Sequence, residues 1–270
     1  REEGILDEAL DKELKEAADA RFLPELQNAL NAALPSFDEA AETRRIFAPY
    51  VPEPADSAKF KDDAPRSLRF VDSVKDALHF AMKQDEYALL MGQDIAEYGG
   101  VFKATQGFVE DFGRARVRNT PIIESGIVGA GIGLALTGWK PIIEMQFADF
   151  ISCGFNQIVN NLSKGSYRWM PSLNITIRAP HGGGVGAGPF HSQSPESWFM
   201  GLPGLRVLVP SSVIDFQNML YTALFDPNPV LFFEHKKLYR SVREETPDHC
   251  EFVDLETARI VSEGLDATIV

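Results

Sequence analysis

The chain has 270 residues, 44% apolar and 24% charged, a balance ordinary for a globular protein with a sizeable core. Its formal net charge is −13 with no run rich in Lys or Arg. That excludes nucleic acid and anionic membrane surfaces as expected partners, since both are bound through clustered positive charge. No apolar run approaches the roughly 20 residues that cross a bilayer, and the Arg-Glu-Glu start is unlike a signal peptide.

Residues 1–48 read as helical and acidic. Ile5, Leu6, Ala9, Leu10, Leu14 and Ala17 share one face at helical spacing. A second short helix is expected to carry Leu26, Leu30 and Leu34. A third is expected to begin at Ser36, with Glu39 in the capping-box position. The segment reads as peripheral helices that pack on something else, not as a catalytic unit.

Residues 49–67 read as a linker, broken by Pro49, Pro52, Pro54 and Pro65 and solvated by Lys59, Lys61, Asp62 and Asp63. From Leu68 onward strands and helices alternate. Strands are predicted at Tyr87–Met91, Pro141–Gln146, Leu173–Arg178, Arg206–Val209 and Val230–Phe233. Helices are predicted at Ser73–Gln84, Ile127–Leu136, Ile151–Lys164 and Val213–Phe225. The alternation implies an α/β domain over 68–254, with a mostly parallel sheet covered by helices on both faces. Ligands of such sheets sit beyond the carboxyl ends of the strands. Residues 255–270 hold two strand-like runs split by Ser262-Glu263-Gly264 and read as the start of a further, truncated domain. With no initiator Met, the sequence reads as part of a longer chain. Cys153 and Cys250 lack metal-ligand spacing, so neither a disulfide framework nor a zinc site is expected, and a reducing compartment is the default.

Two stretches could carry chemistry. In Thr120-Pro121-Ile122-Ile123-Glu124-Ser125-Gly126, a carboxylate follows a short apolar run read as a strand and precedes a glycine-rich helix. Gly129-Ala130-Gly131 resembles the start of a dinucleotide fingerprint, with Glu144 as a possible ribose-binding acid, but the third glycine position is Leu134. The plainer alternative is tight packing by Gly126, Gly129, Gly131 and Gly133. The second stretch, Ala179 to Glu196, holds five glycines and three prolines and must be a long loop. It presents His181 and His191, and histidine is the side chain most ready to move protons near neutrality. Taken bare, His191 reads equally well as structural or catalytic. No G-x-S-x-G elbow and no P-loop Lys-Ser/Thr ending supports a hydrolase or a nucleotide site.

Seven blocks in order carry a resemblance: Gly92-Gln93-Asp94-Ile95-Ala96, Thr120 to Glu124, Gln146-Phe147-Ala148-Asp149-Phe150, Ile177-Arg178-Ala179-Pro180, His191 to Glu196, Pro203-Gly204-Leu205, and Asp226-Pro227-Asn228-Pro229. Over residues 68–242 the chain resembles the β subunit of thiamin-diphosphate-dependent 2-oxo acid dehydrogenases, and Gln146 to Arg240 is most similar to the branched-chain type. The fold so implied is a transketolase-like pyrimidine-binding domain. The first fifty residues resemble, more weakly, the tail of the partner α subunit, which implies a fused chain.

The resemblance implies that Glu124 bonds the aminopyrimidine of thiamin diphosphate and that Phe150 stacks on it. Gln93 and Asp94 stand at the cofactor-site end of a strand, where the family usually has acids; Gln93 cannot act as acid or base. Asn156 stands where Asp is expected. His191 is implied near the reacting carbon. A monovalent cation, potassium, is implied at Ile175, Thr176, Ala223, Asp226 and Asn228. The diphosphate and its Mg2+ are implied to lie on the α-like half, because the chain has no Gly-Asp-Gly motif. Further implied partners are a second copy of the chain, a lipoyl-bearing acyltransferase and a 2-oxo acid. The implied compartment is the bacterial cytoplasm, or the mitochondrial matrix in a eukaryote. A pyruvate-type or transketolase-like enzyme and a non-catalytic scaffold are the alternatives.

Overall fold

The computed structural model describes residues 7–50, 58–59, 66–169, 171–247, 249–257 and 260–269. It divides into a unit of Arg1–Ala41 and a unit of Glu42–Val270. Ile5 and Leu6, and most of the expected linker, lie outside the described residues.

In the first unit one helix, α1 (Glu8–Asn31), replaces the two expected. It runs through Pro24, which removes a single backbone bond from a segment rich in strong helix formers such as Ala17, Ala18 and Ala20. None of its residues is buried, and Leu34 lies beyond its end. The next helix, α2 (Glu39–Ile46), starts later than expected: Asp38, not Ser36, caps it, accepting from Ala41 N at 3.1 Å.

In the second unit the sheet explains the rest. Its strands are β3 (Ala88–Gly92), β4 (Val117–Asn119), β5 (Lys140–Glu144), β6 (Thr176–His181), β7 (Arg206–Leu208) and β8 (Val230–His235). They run in the order β4-β3-β5-β6-β8-β7, every neighbouring pair parallel. Side chains alternate across a strand, and both faces are buried here. Ala88, Leu90, Ile142, Val230 and Phe232 enter one core. Leu89, Met91, Ile143, Ile177, Leu231 and Phe233 enter the other. This explains the uninterrupted apolar strands in the sequence.

The first core lies under α3 (Phe70–Gln84) and α7 (Val213–Phe225). Phe70, Val74, Ala77, Leu78 and Ala81 recur at helical spacing and are buried. Asp72 closes the start of α3 by accepting from Arg69 N, and Ser212 caps α7 by accepting from Asp215 N. The second core lies under α5 (Glu124–Leu136). A Cβ at Gly131 would come within 2.7 Å of Ile143 Cδ1, so α5 meets the β5 side chains closely at this glycine. Gly133 meets nothing within 4 Å and Gly129 only loosely meets Gln157, so the tight packing expected of all these glycines holds for Gly131 and not for them.

Two short antiparallel pairs escaped the sequence: β1 (Ala58–Lys59) with β10 (His249–Cys250), and β2 (Arg66–Arg69) with β9 (Arg243–Thr246). Strands of two to four residues are too short for alternation to register. Both β1 and the start of β2 fall inside the segment expected to be a linker. Helices α4 (Phe108–Phe112), α6 (Gly165–Trp169) and α8 (Leu238–Ser241) are single turns. The helix expected at Ile151–Lys164 is a 3-10 helix, Ala148–Gly154, followed by a π-helix, Gln157–Leu162. Ser163 N reaches Ile158 O, a bond spanning five residues. The apolar spacing of Ile151, Ile158 and Leu162 fits a face of any such helix and cannot tell them apart.

Among the described residues, 260–269 form no strand, and Ile260, Val261, Leu265 and Ile269 are exposed. An apolar alternation makes a strand only beside a partner that satisfies its backbone. No helix is long and apolar enough to cross a membrane among the described residues. Both cysteines are free thiols, Cys250 buried and Cys153 exposed.

Candidate functional site

The segments that follow β3, β4, β5, β6 and β8 carry the residues that could do chemistry. Glu124 is not preceded by a strand, as expected, but by two exposed residues, Ile122 and Ile123. Pro121 has no N–H to give a ladder, and the neighbouring strand ends at Asn119. Glu124 instead opens α5, where the helix dipole favours a negative charge. It is 8% exposed, and its Oε1 accepts from Gln93 Nε2 at 3.1 Å. Gln93 therefore serves as a neutral donor that holds the carboxylate. Its neighbour Asp94 has a left-handed backbone (φ 55°) and is exposed, its Oδ2 accepting from Gln146 Nε2 at 3.5 Å.

The 3-10 helix bearing Phe150 packs on the start of α5: a Cβ at Gly154 would lie 3.4 Å from Val128 Cγ2 and 3.6 Å from Glu124 O. Phe147, Phe150 and His191 form one edge-to-face cluster. His191 lies 4.7 Å from Phe147 and 5.4 Å from Phe150 between ring centroids. His191 Nδ1 is buried without a hydrogen-bond partner. The glycine-rich loop ends here in a single 3-10 turn, Pro189–His191. Its two ends are tied: Gly182 N donates to Gln193 O at 2.9 Å, and Asp149 Oδ1 accepts from both Ser192 N and Gln193 N.

Below this cluster lies a buried ionic network invisible in the sequence. Arg178, fully buried, donates through Nη1 to Glu144 Oε2 at 2.6 Å and through Nε and Nη2 to Glu234 at 2.6 and 2.8 Å. Tyr239 Oη donates to Glu234 Oε2. The network joins β5, β6 and β8 where they deliver Phe147, the glycine loop and Lys236. Glu144 is thus a structural partner of Arg178 and not a ribose-binding acid. Burial pushes its carboxyl up, with Arg178 opposing. Reading strand ends in isolation hides such a network, because the pairing depends on register.

His181 is buried at the end of β6, 5.0 Å from the ring of His235, and its Nδ1 lies 3.2 Å from Ser194 Oγ. Burial lowers its pKa from 6.5 to about 4; Glu196 opposes this, and His235 and Lys236 add to it. The folded state then prefers neutral His181, while the unfolded chain takes up a proton from about 6.5 downward. Stability should be full above pH 6.5 and fall as pH drops toward 4. We expect a loss on the order of 1–2 kcal/mol, allowing for partial screening. Urea unfolding of His181→Phe should give a shallower slope between those pH values; an unchanged slope would remove His181 as the cause.

The five residues of the expected cation site converge at the opposite end of the sheet. Ile175 O accepts from Val230 N, and Ala223 O accepts from Thr176 Oγ1 at 3.2 Å. Asp226 Oδ1 accepts from Asn228 N and Nδ2, and its Oδ2 is ion-paired with Arg206 Nε at 2.6 Å. Asn228 also clasps Ala48 through both side-chain atoms. Arg206 already supplies the positive charge at this turn, so the residues as arranged do not fit a monovalent cation.

A parallel sheet with helices on both faces and a carboxylate opening a helix beyond its strand ends is the architecture of a recognisable domain class. The model of the family described as "Transketolase, pyrimidine binding domain" matches residues 66–242, and the chain belongs to that family. Among curated proteins, the chain is 43% identical over 208 residues to 2-oxoisovalerate dehydrogenase subunit beta 2, mitochondrial, of Arabidopsis thaliana, covering 76% of the chain and 58% of that protein. It is 42% identical to 2-oxoisovalerate dehydrogenase subunit beta of Bacillus subtilis over 207 residues, 75% of the chain and 63% of that protein. Pyruvate dehydrogenase E1 component subunit beta of the same bacterium is 38% identical over 207 residues, 75% of the chain and 63% of that protein. The matched region thus spans about three fifths of each relative's length. A solved structure, "Split gene transketolase, inactive beta4 tetramer", shares the fold at a TM-score of 0.53 and 22% identity, covering 68% of this chain and 55% of that one.

Proposed function

We propose that the chain supplies the pyrimidine-side half of the active site of a thiamin-diphosphate-dependent 2-oxo acid dehydrogenase, acting on branched-chain 2-oxo acids. The observation that carries this reading is Glu124: a buried carboxylate at the start of a helix, held by Gln93, packed beside the segment bearing Phe150, on whose ring His191 packs in turn. The similarity to 2-oxoisovalerate dehydrogenase β subunits favours the branched-chain substrate.

The donor set fits an aminopyrimidine. Glu124 offers a carboxyl oxygen to a ring nitrogen, Gln93 keeps that carboxyl in place, and Phe150 offers a ring face for stacking. Thiamin diphosphate, if held there, would supply a nucleophilic carbon for the carbonyl of a 2-oxo acid and an electron sink for the loss of its carboxylate. Glu124 holds the proton shared with the pyrimidine, in surroundings where water competes little. His191, its Nδ1 unspent, can hold or donate a proton at the substrate oxygen. Asp94, exposed beside Gln93, is left to the rim.

The diphosphate and its Mg2+ belong, in this reading, to an α-like half, with acyl transfer to a lipoyl-bearing acyltransferase. A second copy of the chain completes the assembly, and the outward Gly129 and Gly133 of α5 give it a surface for close approach. A monovalent cation is not part of the reading, because Arg206 neutralises Asp226.

The test mixes the chain with the diphosphate-binding half and follows Mg2+-dependent cofactor binding by calorimetry and decarboxylation with an artificial electron acceptor. The chain alone should show neither. The mixture should show both, with branched-chain 2-oxo acids turned over faster than pyruvate. Turnover or tight cofactor binding by the chain alone would overturn the half-site model.

A further inference from the structure

Lys236 follows β8 directly, and its N–H donates to His181 O at 3.0 Å. It is 5% exposed. Its ammonium reaches one carbonyl, Pro180 O, at 3.5 Å, and lies 5.1 Å from the centroid of the Phe147 ring. A buried ammonium with so little hydrogen bonding is costly unless an opposite charge compensates it. Asp149 has the converse shortage. It is 5% exposed, its Oδ1 takes the Ser192 and Gln193 amides, and its Oδ2 is buried without a hydrogen-bond partner. Burial pushes Lys236 toward its neutral form, and the charge that opposes this is Asp149.

Lys236 meets the aromatic cluster through Phe147, two residues before Asp149, and no hydrogen bond joins its ammonium to the Asp149 carboxylate. Phe147 carries Lys236 against it and His191 at 4.7 Å. We propose that Lys236 is a positioning residue: its ammonium is the countercharge of the buried Asp149 carboxylate, which through two amides holds the His191 end of the glycine-rich loop. The inference concerns the loop's anchorage and rests on the proposed function only in giving His191 a task. The sequence hid it, because a Lys beside a strand end reads as an ordinary solvated charge.

Hydrogen exchange of the full chain tests it without any cofactor chemistry. In Lys236→Met, which keeps bulk and removes charge, exchange in the segment holding Ser192 and Gln193 should rise about tenfold or more relative to α3 and β3, since the carboxylate that accepts both amides loses its countercharge. Lys236→Arg should restore most of the protection, and Asp149→Asn should loosen the same amides. Unchanged exchange in Lys236→Met, or an equal loss in Lys236→Arg, would overturn the proposal. Turnover with the diphosphate-binding half is read in parallel. A loosened loop with unaltered turnover would support the anchorage and count against a catalytic His191.

Discussion

Replacing Glu124 with Gln should lower decarboxylation by roughly 10²–10⁴-fold, the range contributed by a positioned acid–base group, while leaving the fold intact. The amide matches the carboxylate in shape and can still accept from Gln93, so neither burial nor the start of α5 is disturbed. What it cannot do is share a proton with the pyrimidine in the same way. The assay uses the chain assembled with its diphosphate-binding half and an artificial electron acceptor, with circular dichroism as the control for folding. Turnover close to wild type would remove Glu124 from the chemistry and leave it as a helix-start carboxylate.

Arg178→Ala should produce the largest loss of stability. It leaves Glu144 and Glu234 facing each other in the interior with no cation. Removing one member of a buried ion pair costs about 3–5 kcal/mol. The pH dependence distinguishes this from a simple cavity. Burial already raises the Glu144 carboxyl above its ordinary range, and without Arg178 the rise should be greater. A folded state that binds protons more readily than the unfolded one is less stable as pH rises. The deficit of Arg178→Ala should therefore shrink between pH 8 and about pH 5 in urea unfolding. A deficit independent of pH would mean that lost packing, not stranded charge, dominates.

The sheet was legible because its physics is local. Leu89, Leu90 and Met91 are all apolar since both faces of β3 are covered, and the same holds for Ile142 and Ile143. Glu124, Phe150 and His191 stood out through their motifs; in the structure Phe150 lies on the segment that packs against Glu124's helix, and His191, from the glycine-rich loop, packs on Phe150. The rest depended on facts that no window of sequence contains. The winding of Ile151 to Leu162, a 3-10 helix that gives way to a π-helix, leaves no mark in its apolar spacing. Whether Arg178 faces water or two carboxylates was decided by the register of three strands. The expected cation site at Asp226 was altered by Arg206, twenty residues away in sequence and 2.6 Å away in space.

Gly131 shows how far one missing carbon can reach. Its lone hydrogen lets α5 settle on Ile143. A methyl there would overpack the contact, at a cost of about 1–3 kcal/mol, unless the Ile143 δ-methyl turned aside or the helix rose. A helix moves as a rod, so the lift would be passed along its length to Glu124, seven residues and roughly 10 Å up the axis. Any such lift would shift the carboxylate's height above the sheet from below, through a residue outside the site. Drift at position 131 would mistune the site while every residue in it stayed the same.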